Sequence, residues 1–461
     1  KAHIGPKISR AKVTRLPGTS STKAERDAKR AANAAEKAQT QSLRHEHKVP
    51  ESQRTCPKCG NTHLKTIGGG RETTVWEFEP AHFVRHVHVQ EVLKCRCEDY
   101  VVTAPGPLKV IEKGRYGASF LAHLVIAKCA DHLPIYRIEK DFRRQSFPLA
   151  RSTMNELLHR TSAILEPIWK RLLDNIKCRP IVLADETRMR MQDGGDGKPK
   201  NGVVWTFVAA DDVGALDVAL VFTSDRSGET PRNVLGGTNG VLLVDAYSGY
   251  NSISDVSTRR RAACHAHLRR YFHEALATAP IAQQAIDLIL DLYRIEREAQ
   301  RRKIVGGTLH LQLRRVEATA ARKRLKSWLD AQRSLHPPKS PIGVAINYGL
   351  KRWDDLGVFL DDARVPIDNN ASERSLRRVA LGRKNYLFVG DVDAGANITG
   401  LYTIIATCEA RGVNPFVYLA DVIPRVQDHP ADRLDELLPG PWLHARAPNA
   451  WLRARPAPLA A

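Results

Sequence analysis

Short apolar runs in the middle of the chain predict the strands of a sheet. They are residues 181–184, 203–209, 216–222 and 241–244. The first and last runs are continuously apolar, which is typical of strands covered on both faces. Helical periodicity precedes and follows this block, so the pattern predicts an α/β fold.

Two helical regions flank the predicted sheet. Between Ile111 and Ile176 apolar residues recur at helical intervals, broken by Pro134 and Pro148. Several short helices there suit a DNA-reading bundle and equally suit a plain scaffold. From His273 to about Ala363 an apolar face opposes Arg-rich faces, which predicts a helical insertion.

These patterns divide the chain into seven segments. The predicted segments are a basic arm, disordered or helical (1–50), a zinc-ribbon-like module (51–108), a helical, candidate DNA-binding region (109–178), the first part of an α/β core (179–272), a helical insertion (273–365), the end of that core (366–426) and a C-terminal tail (427–461). We expect the tail to be held loosely from Pro439 onward.

The chain is strongly basic. Lys and Arg number 71 against 50 Asp and Glu, a formal net charge of +21, which favours a polyanionic partner such as nucleic acid. The alternative is that the arginines reflect a GC-rich coding sequence.

No apolar run is long enough to span a membrane, and the N-terminal region lacks the apolar core of a signal peptide. We therefore expect a soluble cytoplasmic protein without a membrane partner.

Four of the eight cysteines lie close together and predict a zinc site. Cys56 and Cys59 form one pair and Cys95 and Cys97 the other, separated by predicted short strands at 73–78 and 82–89. Tetrahedral zinc needs four soft ligands brought to one point. The second pair is one residue short of the usual gap. The alternatives are four unmetallated thiols, or substitution of a ligand by His63, His86 or His88.

Three acids lie at the ends of predicted strands or near the start of a predicted helix. Asp185 ends the first apolar run, Asp245 ends the fourth, and Glu373 comes after the helical insertion on a helix predicted to start at Asn370. If the two strands are neighbours, the three carboxylates meet at one edge of the sheet. Oxygen ligands of this kind suit Mg²⁺ or Mn²⁺, and two such ions can promote phosphodiester chemistry.

Each acid also has a structural explanation. Asp185 would be a polar strand terminus, Asp245 the start of a turn, and Glu373 part of a helix capping box. The neighbouring acids Glu186 and Asp368 are further candidates. Strand alternation sends Glu186 to the face opposite Asp185, which weakens its case.

At this point the chain resembles the transposases of the insertion-sequence-66 type. The matching segments are Cys56-Pro57-Lys58-Cys59-Gly60, Ala184-Asp185-Glu186-Thr187, residues 244–250 (VDAYSGY), residues 264–272 (CHAHLRRYF), residues 368–374 (DNNASER) and residues 382–388 (GRKNYLF). They occur in the family's order over roughly residues 55–440. Cys264 and His267 match a Cys-x-x-His pattern found after the second acid in several transposase groups, where a structural and a catalytic role are equally open.

The resemblance implies a ribonuclease-H-like catalytic core with a helical insertion, in which Asp185, Asp245 and Glu373 bind the catalytic metal. It implies a DDE-type transposase that binds the terminal inverted repeats of an insertion sequence, cleaves DNA and transfers the strand. A homo-oligomer on double-stranded DNA and accessory proteins of the element are the expected partners. The alternatives are a nuclease of the same fold that cuts without joining, and a DNA-binding protein derived from a transposase without cleavage activity.

A basic cluster follows the last acid. On a helix, residues three or four apart share a face, so we expect these side chains to bind phosphates, and the alternative is a solvated basic face. The cluster comprises Arg374, Arg377, Arg378, Arg383 and Lys384.

Overall fold

A computed structural model gives the architecture. It describes residues 27, 31, 83–89, 91–94, 101–103, 109–112, 114–192, 199–251, 253 and 258–445. The chain divides into two compact units, Lys1–Ala81 and His82–Ala461. In the first unit the described residues, Asp27 and Ala31, are helical and exposed. The sheet and the remaining helices belong to the second unit.

The second unit alternates helices with a central sheet. Its strands are β1 Val92–Lys94, β2 Val101–Thr103, β3 Ile181–Gln192, β4 Pro199–Ala210, β5 Leu216–Thr223, β6 Asn239–Val244, β7 Thr258–Ala263 and β8 Phe388–Val389. Its α-helices are α1 Ala118–Val125, α2 Ile135–Arg144, α3 Arg151–Ile164, α4 Glu166–Lys177, α5 Glu229–Leu235, α6 His265–Ala275, α7 Ala282–Arg301, α8 Thr308–Leu313, α9 Thr319–Arg333, α10 Pro341–Lys351, α11 Asn370–Tyr386, α12 Val392–Ala410, α13 Pro415–Val422 and α14 Pro439–His444.

The central sheet mixes antiparallel and parallel strands in the order β5-β4-β3-β6-β7. Strands β3, β4 and β5 form antiparallel pairs, whereas β6 is parallel to β3 and β7 is parallel to β6. The short strand β8 pairs with the far end of β3. The four predicted apolar runs therefore all lie in one sheet, and β3 stands at its centre.

Both faces of the sheet are covered, which explains the continuous apolar runs. Leu183 and Met189 point to a core shared with α12, while Val182 and Trp205 point to a separate core on the opposite face. Threonines of α12 reinforce the first face, because the Thr403 hydroxyl accepts a hydrogen bond of 2.8 Å from the Leu220 amide of β5. The sheet is thus a rigid platform for residues at its edge.

Helices α6 to α10 build a second packed region between β7 and α11. Apolar residues of α6, α7, α9 and α10 form a core of their own, which includes Leu268, Phe272, Ile289, Leu325 and Leu329. This region covers most of residues 273–365, which were predicted as a helical insertion. Among the described residues, no helix is long and apolar enough to cross a membrane.

Two local predictions are wrong. Residues 83–89 form no strand: Phe83 packs its ring against Phe142 at a centroid distance of 4.8 Å, and Val84, Val87 and Val89 are exposed. The C-terminal region is not loose through residue 444, because Trp442 is buried and its indole donates a hydrogen bond of 2.8 Å to Asp421. A buried tryptophan anchors a Pro-rich segment that composition alone marks as a tail.

Candidate active site

Asp185 lies on β3, and Asp245 directly follows β6, the neighbouring parallel strand. The paired positions of β3 and β6 run to Leu183 and Leu243, and each aspartate comes two residues later. Asp185 is interior to β3, which continues to Gln192, so it is not a strand terminus. Asp245 directly follows β6 and accepts a hydrogen bond of 2.8 Å from the Tyr247 amide, so it also starts a turn, as the sequence suggested.

A buried arginine holds the turn that carries Asp245. Arg261 of β7 donates to the backbone carbonyls of Asp245 and Tyr247 and to the Asn251 side chain. Its side chain is largely buried, and burial lowers the pKa of its guanidinium. The second aspartate is therefore fixed by a strand whose sequence, TRRRAA, gave no apolar signal.

Glu373 lies in the first turn of α11, which begins at Asn370 as predicted. The buried Asn369 precedes this helix, and its side-chain amide donates a hydrogen bond of 2.8 Å to the Ala184 carbonyl, next to Asp185. Its backbone amide donates to the Cys264 sulfur at 3.2 Å. One asparagine thus ties the start of the Glu373 helix to the strand of the first aspartate.

The capping box predicted around Glu373 does not form. Asn370 uses its side-chain amide to bond Asp368 at 2.7 Å, and α11 has no side-chain cap at Asn369. The Asp368 carboxylate also accepts a hydrogen bond of 3.1 Å from the Asn370 backbone amide, so this neighbouring acid stabilises the start of the helix.

Two basic side chains face Glu373. Arg270 Nη2 lies 3.3 Å from Glu373 Oε1, and His267 Nε2 lies 3.7 Å from the same oxygen. Burial and the nearby Arg270 lower the pKa of His267. Both residues are on α6, which starts immediately after Cys264. The Cys-x-x-His pattern therefore places its cysteine against Asn369 and its histidine against Glu373.

The acids influence one another electrostatically. Desolvation is the main reason that the pKa of Asp185 rises to about 7, and the charges of Glu186, Asp245 and Glu373 raise it further. A carboxyl group close to other acids is stabilised either by binding a proton or by a nearby cation. The Arg270 guanidinium already occupies that cationic role beside Glu373.

Glu186 lies on the opposite face of β3 from Asp185 in a network of its own. Its side chain is only 3% exposed and pairs with Arg226, while the Tyr250 hydroxyl donates to its other oxygen at 2.6 Å. Burial raises the pKa of Glu186. Both carboxylate oxygens are thus engaged by the protein.

The predicted phosphate-binding residues of α11 fall into two groups. Arg374, Arg377 and Lys384 are exposed. Arg378 instead pairs with Glu409 and donates to the Cys129 carbonyl, and Arg383 donates to Thr187 at 3.0 Å and to the Arg188 carbonyl at 2.6 Å. The side chain of Arg378 is therefore committed to packing α11 against its neighbours.

The structure describes the predicted magnesium ligands but not the predicted zinc ligands. Among the residues that the structure describes, no three His, Cys, Asp or Glu side chains form a ready-made metal cluster. The donor chemistry nevertheless fits Mg²⁺, since all three acids offer oxygen ligands and a cationic side chain sits against one of them. The proposed zinc ligands Cys56, Cys59, Cys95 and Cys97 lie outside the described residues, as does His63. His86 and His88 are exposed.

Comparison with known proteins identifies the family. Residues 113–397 match the family described as Transposase IS66 family. This chain belongs to the IS66 transposase family. Residues 403–440 match its IS66 C-terminal element, and residues 53–98 match the zinc-finger binding domain of transposase IS66. The resemblance inferred from the motifs is confirmed.

Two relatives of this IS66 family member come from Sinorhizobium fredii (strain NBRC 101917 / NGR234). The uncharacterized protein y4hP is 31% identical over 434 residues, which cover 89% of this chain and 78% of the relative. The uncharacterized protein y4jD is 33% identical over 411 residues, which cover 85% of this chain and 79% of the relative. The similarity therefore extends over most of both relatives.

Sequence reasoning missed three residues that shape this site. Two of them, Arg270 and Asn369, lie in segments that match the family, and Arg261 lies in a run of three arginines. The sequence alone assigned none of them a role. Their contacts are with residues remote in sequence, such as Ala184 for Asn369 and Glu373 for Arg270. No local pattern in the sequence signals these roles, because each contact joins residues from different parts of the chain.

Proposed function

We propose that this IS66 family member is a DNA transposase that binds the ends of its insertion sequence and performs strand cleavage and strand transfer. The observation that carries the proposal is the placement of Asp185 on β3 and of Asp245 directly after the adjacent parallel strand β6, with the helix of Glu373 tied to β3. The strand order supports a ribonuclease-H-like core, since three antiparallel strands are followed by two that run parallel to the first.

Asp185, Asp245 and Glu373 would hold Mg²⁺ or Mn²⁺. When bound, such ions supply activation of the attacking oxygen and stabilisation of the leaving oxygen at a phosphodiester. The protein's own part is to keep the carboxylates in place: β3 carries Asp185, Arg261 secures the Asp245 turn, and Asn369 secures the helix of Glu373. Arg374, Arg377 and Lys384, exposed on the same helix as Glu373, would bind DNA phosphates.

The remaining parts of the proposal rest on the family. The matched zinc-finger segment supports zinc at the cysteine pairs and a role in DNA binding. Both DNA ends must be cut in concert, so we propose a homo-oligomer on DNA, with accessory proteins of the element as further partners. The same site would also serve a nuclease that cuts without joining.

The test is cleavage and joining of a labelled duplex carrying the element's end, with Mg²⁺ or Mn²⁺. The comparison is between the wild type and Asp185→Asn, Asp245→Asn and Glu373→Gln, with Glu317→Gln on the exposed surface of the helical region as the matched control. Ion binding is worth several kcal/mol to the transition state, so each active-site variant should lose at least about 100-fold in rate. DNA affinity should be retained.

The outcomes separate the alternatives. Cleavage without a joined product would favour the nuclease. DNA binding without metal-dependent cleavage would favour a transposase-derived DNA-binding protein. Full activity in any one of the three acid variants would remove that residue from the catalytic set and direct attention to Glu186 or Asp368.

A further inference from the structure

A cavity opens beside the strand that carries Asp185. It has a volume of about 310 Å³ and begins at the residue after that aspartate. Three arginines from three different elements contribute to its walls. The lining residues are Glu186, Thr187, Arg188, Val203, Arg226 and Arg383.

The charges in this cavity do not balance. Arg226 is paired with Glu186, whose second oxygen accepts from Tyr250, so that pair is neutral and complete. Among the described residues, Arg383 donates only to neutral acceptors, the Thr187 hydroxyl and the Arg188 carbonyl. The exposed Arg188 side chain has no hydrogen bond or ion pair with any residue that the structure describes. Two guanidinium charges therefore share one cavity without a carboxylate of their own.

A purely structural role explains only one of these arginines. Arg383 fastens α11 to β3, and a neutral donor would serve that purpose as well. The Arg188 side chain fastens nothing in the described structure, yet it lines the same cavity as Arg383. An anion in the cavity would give both guanidinium charges a partner, and guanidinium groups match phosphate oxygens with paired hydrogen bonds.

We infer that this cavity is a subsite for one backbone phosphate of the DNA strand being cut. The inference rests on the proposed function, because it takes DNA as the ligand. Arg188 comes three residues after Asp185, so its side chain leaves β3 on the opposite face, the face of Glu186, and lines the same cavity as Arg383 of α11. At a rise of about 3.4 Å per residue, this places Arg188 roughly 10 Å along the strand from the acid. Because the charges of one DNA strand recur every ~3.4 Å along the duplex axis, that distance spans up to about three nucleotides. The subsite would thus fix the strand a few nucleotides from the scissile bond.

The first test measures how DNA affinity depends on salt, without divalent metal, for a duplex carrying the element's end. Each phosphate contact contributes about 0.9 to the slope of log K against log salt. Arg188→Gln should therefore reduce the slope by about 1 and weaken binding roughly five-fold at 0.15 M salt. Arg188→Lys should keep the slope. Arg333→Gln, an exposed arginine of α9, is the matched control and should change neither quantity.

The second test locates the phosphate. Neutral methylphosphonate is placed at single positions of the cleaved strand, about two to four nucleotides from the cut. One position should weaken wild-type binding and have no further effect in Arg188→Gln. Arg383→Lys keeps the charge and the link to β3 and should retain this sensitivity, whereas Arg383→Gln should lose it.

These tests of the phosphate subsite do not depend on whether the protein cleaves DNA. An unchanged salt slope in Arg188→Gln, or methylphosphonate effects that persist fully in that variant, would overturn the subsite even if the wild type cleaves and joins DNA. Reduced slopes together with loss of sensitivity at one phosphate would establish it, even if the wild type binds DNA without cutting it. Inorganic phosphate would also be tested for protection of the wild type against heat. If it protects while Arg188→Gln leaves the salt slope of DNA binding unchanged, the result would count against a DNA subsite.

Discussion

The side-chain amide of Asn369 donates a hydrogen bond of 2.8 Å to the carbonyl oxygen of Ala184. Ala184 immediately precedes Asp185, and Asn369 immediately precedes the helix that carries Glu373. The Asn369 backbone amide is held in turn by the Cys264 sulfur at 3.2 Å. This relationship sets the separation of the first and third acids, which come from parts of the chain almost two hundred residues apart.

We expect Asn369→Ala to impair catalysis more than binding. Loss of the bond to Ala184 frees the first turn of α11, and a displacement of about 1 Å at a catalytic group can reduce the rate about 100-fold. The measurement is the metal concentration that gives half-maximal cleavage, together with the maximal rate. We expect a higher metal requirement and a lower rate at unchanged DNA affinity.

The control for Asn369→Ala is Thr403→Val. This variant also removes a buried hydrogen bond, the one from the Leu220 amide, but on the α12 side of the sheet. Both variants should lose about 1–3 kcal/mol of unfolding free energy. If Thr403→Val changed the metal requirement as much as Asn369→Ala, the effect would be one of general stability, and Asn369 would have no positioning role.

The helical region depends on a buried arginine. Arg314 is 1% exposed, forms two hydrogen bonds to Glu296 and donates to the backbone carbonyls of Phe359, Asp362 and Val365. Arg314→Met should lower the unfolding free energy by about 3–5 kcal/mol, because Glu296 would keep a partly buried charge without this partner. Arg294→Met, which breaks an exposed pair with Asp291, should cost less than about 1 kcal/mol. Chemical denaturation of both variants distinguishes these values, and equal losses would contradict the argument.

Much of the sheet could be predicted because buried strands consist of consecutive apolar residues. The runs ending at Asp185 and Asp245 are apolar throughout, since both faces of their strands are covered. The start of α11 at Asn370 was also predictable from its polar residues. Strand β7 was not, because its arginines occupy positions that are usually apolar. Arg259 is 2% exposed and donates to the carbonyls of Lys177 and Arg179, partners that no local pattern reveals.

The candidate site shows the same limit. Motif resemblance selected three acids, and the strands that carry two of them were visible in the sequence. The residues that hold those acids were not visible, because Asn369, Arg261 and Arg270 act through contacts between distant segments. Which acid a polar residue contacts is decided by the tertiary packing of distant segments, and hydrophobic periodicity does not specify that packing.

Stability should fall in mild acid partly because of His265. Burial lowers its pKa to about 3, and its ring contacts the Ile367 carbonyl at 3.0 Å. Below a pH of about 6.5 the unfolded chain takes up a proton that the folded imidazole refuses, so the unfolding free energy decreases as the pH falls. Unfolding at pH 7.5 and pH 5 should therefore differ less in His265→Asn than in the wild type. The exposed His444→Asn should retain the wild-type difference; an equal difference in all three proteins would show that His265 is not responsible.

Arg270 should compete with metal for Glu373. Its guanidinium lies 3.3 Å from the carboxylate but is 55% exposed, so the pair is worth only about 0.2–1 kcal/mol. Releasing Glu373 by Arg270→Gln should lower the Mg²⁺ or Mn²⁺ concentration for half-maximal cleavage by up to about five-fold. Arg270→Lys should stay near the wild type because it preserves the charge. If Arg270→Gln instead raised the metal requirement, the arginine would be holding Glu373 in the orientation that the metal needs, and the competition would be ruled out.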